Sequence, residues 1–234
     1  MLKKLIITSL VVLYGSSVSA GLMVKEYGSG ASPSNLGVGD EYEMFDFVLD
    51  SSDSPNNPLT LNGTINGDTT VIRLESSVAI THGKADDFPT WWNNHTDDGN
   101  YDVFNVSGTN YIDIFLPENT VAFSFNVGAS FNGSGWFTAT DSNGSGLTNN
   151  NGNNDRHNFS VSSSYTPGYG IHADQSDANE CTTIASIRVD PSHIWGIGNF
   201  SANTGGCASV PEPSIIALFA AGLFGLGFAR RRKI

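Results

Sequence analysis

The densest run of groups able to hold a ligand is DDFPTWWNNHTDDGNYD, residues 86–102. Here two adjacent indoles, Trp91 and Trp92, are flanked by Asp86, Asp87, Asp97, Asp98 and Asp102 and by Asn93, Asn94 and Asn100. An exposed indole is a flat apolar surface on which a sugar ring can stack, and neighbouring carboxylate and amide groups can hydrogen-bond its hydroxyls. Trp91 and Trp92 are therefore candidate carbohydrate contacts. Calcium is the other use of such oxygens, although DDGNYD lacks the ligand order of an EF-hand loop and no metal ligand is assigned. The competing reading is structural: tryptophan is highly buried on average, and period two sends only one of an adjacent pair outward. Trp136 and Trp195 lie inside strand-like segments and are expected in the core.

Local catalytic patterns are missing. The chain has no G-x-S-x-G, no H-E-x-x-H and no phosphate-cradling G-x-x-x-x-G-K-[ST]. Its histidines, His82, His95, His157, His172 and His193, are scattered singly, so exposed or structural roles are expected. No catalytic residue is assigned, no cofactor is expected apart from the calcium alternative, and the protein is read as non-enzymatic.

These residues must be positioned by short strands. In TVAFSFNV, Val121, Phe123, Phe125 and Val127 fall on one face, with Ala122, Ser124 and Asn126 on the other, the pattern of a half-buried strand. Similar segments recur as LTLNGTI, TVIRLES, VAITH, YDVFNVS, YIDIFL, GWFTATD, FSVSSS, IASIRVD and IWGIGNF, separated by Gly, Asn, Asp, Ser and Pro. No amphipathic helix interrupts them. The expected fold is all-β, an antiparallel β-sandwich or jelly roll over residues 21–208. Asn62-Gly63 and Asn66-Gly67 are hairpin signals, and Asp141 to Asp155 is expected to be a long mobile loop.

Both ends read as addresses. Lys3 and Lys4, the apolar Leu5 to Leu13 and the small residues Val18-Ser19-Ala20 make residues 1–20 an export signal, with cleavage between Ala20 and Gly21. Residues 21–210 then hold five basic and twenty-two acidic residues, a net charge of −17. Such a body repels nucleic acid and anionic lipid, and no nucleic-acid partner is expected. Solubility outside the cell is the plain use of that charge. Cys181 and Cys207 both lie in the exported part, where an oxidising compartment lets them pair. Closing a loop of about 26 residues is worth roughly 3.5 kcal/mol in the chain-entropy model.

Residues 209–234 carry three features in order. Pro211, Glu212 and Pro213 hold the chain stiff and extended. Ser214 to Ala229 is uncharged and mainly apolar; as a helix it would reach about 24 Å against a hydrocarbon core of roughly 30 Å, a marginal span. Arg230, Arg231, Arg232 and Lys233 would keep the C-terminus on the cytoplasmic side and the body outside.

Val-Pro-Glu-Pro at 210–213, a short hydrophobic helix and the terminal basic cluster together resemble the PEP-CTERM sorting signal of Gram-negative bacteria. The resemblance implies that exosortase, a polytopic membrane enzyme, recognises Pro211, Glu212 and Pro213 and removes the tail. The protein would be anchored transiently in the inner membrane through residues 214–229. It would then pass to the cell surface or be secreted, in association with extracellular polysaccharide or biofilm. The VAFSFNVGAS and IWGIGNF segments also resemble other bodies of that family, which look like jelly-roll sugar-binding modules. Their last strand commonly carries Ile-Asp-Asp or Ile-Asp-Asn, whereas Gly198 stands here between Ile197 and Asn199. The rival readings are a secreted carbohydrate-active hydrolase and a single-pass membrane protein whose tail is never cut.

Overall fold

The structure is a computed structural model describing residues 21–28, 33–37, 41–52, 56–85, 102–108, 110–129, 132–147, 156–162, 166–173, 182–191 and 195–206. The strands are β1 (Leu22–Tyr27), β2 (Asn35–Leu36), β3 (Tyr42–Glu43), β4 (Phe45–Ser52) and β5 (Leu59–Ile65). Next come β6 (Asp68–Glu75), β7 (Ile80–Lys84), β8 (Asp102–Val106), β9 (Ile112–Phe115) and β10 (Ala122–Ala129). The last are β11 (Gly133–Asp141), β12 (His157–Val161), β13 (Gly168–Ala173), β14 (Ile184–Pro191) and β15 (Trp195–Asn203). No α-helix occurs among the described residues, and every strand pairing is antiparallel.

Two ladders meet at β4. One runs β1-β13-β10-β15, with β8 and then β7 beside the first half of β15; the other runs β4-β5-β6-β9-β14-β11-β12. Phe45 and Asp46 of β4 pair with β15, while Phe47 to Ser52 pair with β5, so one strand belongs to both ladders. At the same place β15 bulges: Asn126 opposes Gly198 and Ser124 opposes Ser201, which sets Asn199 and Phe200 against Phe125 alone. Asn199 takes a positive φ of 54° there. The extra residue shifts the alternation, so Trp195 and Ile197 before the bulge and Phe200 and Ala202 after it all enter the same core.

That core draws on both ladders. Phe123, Phe125 and Val127 of β10, Tyr169 and Ile171 of β13 and Trp195 of β15 join one apolar cluster with Leu61, Ile72, Ile114, Phe137 and Ile187. The period-two reading is met in β5, where LTLNGTI buries Leu59, Leu61, Gly63 and Ile65 in alternation.

Three expectations need correction. First, β10 is buried on both faces, not one. Ser124 and Asn126 are fully buried because outer structure covers them: the β2–β3 hairpin sets Leu36 and Tyr42 against Ala122 and Ala173. The missing side chains of Gly168 and Gly170 leave room for Tyr27 and Leu36. The covered polar groups pair among themselves. The Ser124 and Ser201 hydroxyls lie 2.5 Å apart, Asn126 Nδ2 donates to the Thr166 carbonyl at 3.2 Å, and Asn199 Nδ2 donates to Asn126 Oδ1 at 3.1 Å. Burial holds the Tyr27 phenol well above its usual pKa, against the pull of its hydrogen bond with Ser124.

Second, only one of the two Asn-Gly hairpin signals makes a turn. Asn66 and Gly67, at φ 52° and 83°, join β5 to β6, whereas Asn62 and Gly63 lie inside β5 opposite Val71 and Thr70. Gly63 is there for space, since a Cβ would come within 2.4 Å of the Val48 carbonyl oxygen. Third, the segment expected to be a mobile loop starts anchored. The buried Asp141 accepts the Asn143 and Ser145 amides at 2.8 and 2.7 Å and the Thr182 hydroxyl at 3.0 Å, and Leu147 enters the core. Residues 148–155 lie outside the described residues, as do the export signal, Cys181, Cys207 and the segment from 207 to 234. The expected C-terminal helix belongs to that last segment.

Candidate functional site

The outer face of the second ladder collects polar and aromatic side chains because the inner one is apolar. Ile72, Leu74, Ile112, Ile114, Phe137, Ala139, Ile187 and Val189 all point inward and are fully buried, so their chain neighbours point out. Register then builds rows across the strands. Trp136 lies between Asn158 and Asp190, Arg188 between Thr138 and Asp113, and Ser186 between Thr140 and Phe115, which in turn opposes Arg73.

Trp136 is thus not the core residue that its place within a strand predicts; it is half-buried on the open face, whereas Trp195 is fully buried. A hollow of about 740 Å³ on one part of this face is lined by Trp136, Arg156, Arg188, Asp113, Thr138 and Ser186. A second, of about 450 Å³, is lined by Trp136, Ser134, Asn158 and Asp190. The indole borders both.

Three arginines are set on this face, each against a ring. Arg73 lies 4.3 Å from the Phe115 ring centre, Arg156 4.0 Å from that of Trp136, and Arg188 4.2 Å from that of Tyr111. Stacking of this kind orients a guanidinium while leaving its edge free to donate. Arg188 also donates through Nε and one terminal nitrogen to the two oxygens of Asp113, each at 2.6 Å, which pushes its pKa further up. Arg73 meets Glu75 at 3.2 Å. Burial raises the Asp190 carboxyl above its usual range, with Arg156 and Arg188 pulling the other way.

A second constellation lies at the join of β7 and β8. His82 Nε2 is 2.5 Å from Asp102 Oδ1, Lys84 Nζ is 3.0 Å from the same oxygen, and Ser52 Oγ is 3.4 Å from His82 Nδ1. The His82 ring stacks on Phe104 at 5.0 Å. The order of groups is that of a nucleophile, a base and an orienting acid, but the Ser52 contact is long and Lys84 competes for the Asp102 oxygen. Asp102 is the one aspartate of the 86–102 run that is described, and its Oδ1 is taken by His82 and Lys84. Trp91 and Trp92 lie outside the described residues. Among the described residues no group of three or more His, Cys, Asp or Glu side chains could hold a metal ion.

Alternation in GWFTATD carried the signal for Trp136: with Phe137 and Ala139 inside, Trp136, Thr138 and Thr140 must face out. Arg156 and Arg188 carried no such signal, because their meeting depends on cross-strand register.

Fold and site together define an antiparallel all-β domain with an open, aromatic and arginine-bearing face. Residues 209–233 match the PEP-CTERM protein-sorting motif, which marks an exported protein directed by exosortase to the cell surface. No curated protein matches the chain. Among solved structures, the enzymatically active domain of tailspike protein 4 from bacteriophage CBA120 is similar at 12% identity and a TM-score of 0.31. That similarity covers 56% of this chain, which spans only 19% of the tailspike chain. TmCBM61, solved in complex with beta-1,4-galactotriose, is similar at 13% identity over 56% of this chain and 87% of its own, with a TM-score of 0.28.

Proposed function

We propose that this is a non-enzymatic, exported β-sandwich or jelly-roll protein that exosortase releases from a transient inner-membrane anchor, and that its open face holds extracellular polysaccharide in a surface or biofilm matrix. The observation that carries the binding part is Trp136, an indole half-buried between two polar hollows on a sheet face. Such a ring gives a pyranose an apolar surface, and the hydroxyls of Thr138, Ser186 and Ser134 beside it answer those of the sugar. The non-enzymatic reading is supported by Asp113, whose two oxygens are both taken by Arg188 and so are poorly placed to move protons. Purified protein is expected to be retarded on electrophoresis through gels containing polysaccharide, and Trp136→Ala to abolish the retardation. Unchanged mobility of the native protein across a broad glycan panel would remove this reading. For the sorting part, the intact mass of envelope-derived protein should lack Arg230 to Lys233; their retention would instead favour an uncut membrane protein.

The hydrolase alternative has one observation in its favour, the Ser52, His82 and Asp102 grouping. Glycan or ester cleavage by the native protein, lost in both Ser52→Ala and His82→Asn, would establish it.

A further inference from the structure

Charge singles out the open face. The body from 21 to 210 has five basic residues against twenty-two acidic ones, and three of the five, Arg73, Arg156 and Arg188, stand on this one face. Random placement over a domain surface would scatter them, and solubility does not call for cations braced on rings. Arg73 and Arg188 each have a carboxylate partner, Glu75 and Asp113. Arg156 has none within ion-pairing distance among the described residues and is exposed. Arg156 and Arg188 border the same hollow, whose remaining lining includes the hydroxyls of Thr138, Thr140 and Ser186.

We infer that the polysaccharide held here is acidic, a uronate-bearing chain whose carboxylate is received between Arg156 and Arg188 while a sugar ring in the neighbouring hollow packs on the side of the Trp136 indole that Arg156 does not cover. This rests on the proposal that the face binds polysaccharide and adds the chemical class. A guanidinium matches a carboxylate with paired, parallel N–H donors, and one flattened on an aromatic ring has already lost part of its hydration and side-chain freedom. A neutral glycan would bring no charge to Arg156, which has no ion pair among the described residues. Duplex nucleic acid is a poor occupant, since one charge per ~1.7 Å brought to a body of −17 is repelled everywhere except at this face. A polyuronate carries only one carboxylate per sugar, a lower charge per unit length than duplex nucleic acid, and so meets less repulsion from the rest of the surface. Asp113, paired with Arg188 in the same hollow, and Asp190, on the rim of the neighbouring one and within the field of both arginines, are the carboxylates that oppose the ligand.

The test uses polygalacturonate and alginate, each alongside its methyl-esterified form, together with neutral dextran and dextran sulfate, immobilised for interferometry with the purified protein in about 0.15 M salt. At least one free acid should bind ten-fold or more tightly than its own ester. Arg156→Gln should weaken that binding at least five-fold with an unchanged melting temperature, and Asp190→Asn should strengthen it several-fold. Equal binding of acid and ester, or of dextran, would overturn the acidic class while leaving polysaccharide binding intact. Tighter binding of dextran sulfate than of either uronate would overturn the carboxylate assignment in favour of a general polyanion site. Failure of every glycan to bind would remove both this inference and the reading beneath it.

Discussion

Arg188 on β14 and Asp113 on β9 stand directly opposite one another, and two guanidinium nitrogens donate to the two carboxylate oxygens at 2.6 Å each. With Asp113 mostly covered and Arg188 nearly half exposed, the pair combines good geometry with partial screening. Asp113→Asn keeps the shape and loses the charge. It is expected to cost about 1 kcal/mol in urea unfolding and to loosen Arg188, reducing any glycan affinity. An unchanged midpoint together with unchanged affinity would show that the pair organises nothing.

The two described tryptophans should behave oppositely. Trp195 is fully buried in the common core and its Nε1 donates to the Asn110 carbonyl at 3.2 Å. Trp195→Ala is expected to cost about 3–5 kcal/mol and to deplete folded protein. Trp136→Ala, on the open face, should leave the circular-dichroism melt nearly in place while removing retention by polysaccharide. Similar destabilisation by both would contradict the placement of Trp136.

Gly198 is fixed by a neighbour in another strand. A Cβ there would lie 2.4 Å from the Asp102 carbonyl oxygen, backbone that cannot rotate away as a side-chain tip could. Gly198→Ala should therefore cost roughly 1–3 kcal/mol, lowering the melting temperature by several degrees, at about 2–4 °C per kcal/mol for a domain of this size. An Ala variant as stable as the native protein would mean that β8 lies further off.

His157 supplies a pH test. Its ring packs near Phe137 and Tyr169, at 5.0 and 5.4 Å, and burial lowers its pKa below 6.5, opposed by the charge of Glu26. A base with a lowered folded pKa binds fewer protons folded than unfolded. Its contribution is therefore complete above about pH 6.5 and is lost as the pH falls from there towards the folded pKa. Urea midpoints measured from pH 7.5 down to 5 should fall, and the slope should be shallower in His157→Gln. Identical slopes in the two proteins would show that His157 does not contribute.

Much of the strand inventory was legible because alternation is a local property. Phe123, Phe125 and Val127 were readable as one inward row from TVAFSFNV alone. The burial of the opposite row was not legible, since Ser124 and Asn126 are polar and nothing nearby in the chain says that Tyr27, Leu36 and Tyr42 pack over that side of the sheet. Strand β13 is illegible for a related reason: the roles of Gly168 and Gly170 are set by Tyr27 and Leu36, which occupy the space these glycines vacate. Asn62-Gly63 and Asn66-Gly67 are chemically alike, yet only the second turns, because the approach of β4 makes the first a packing position.

By itself the sequence determined the β class, the acidity of the body and the sorting motif at 209–233, because each is written in consecutive residues. The tertiary structure alone decided that Arg73, Asp113, Trp136, Arg156 and Arg188 share one face. These residues come from distant parts of the chain, and only the hydrogen-bond register between strands, set by the packing of the core beneath them, determines which outward side chains become neighbours.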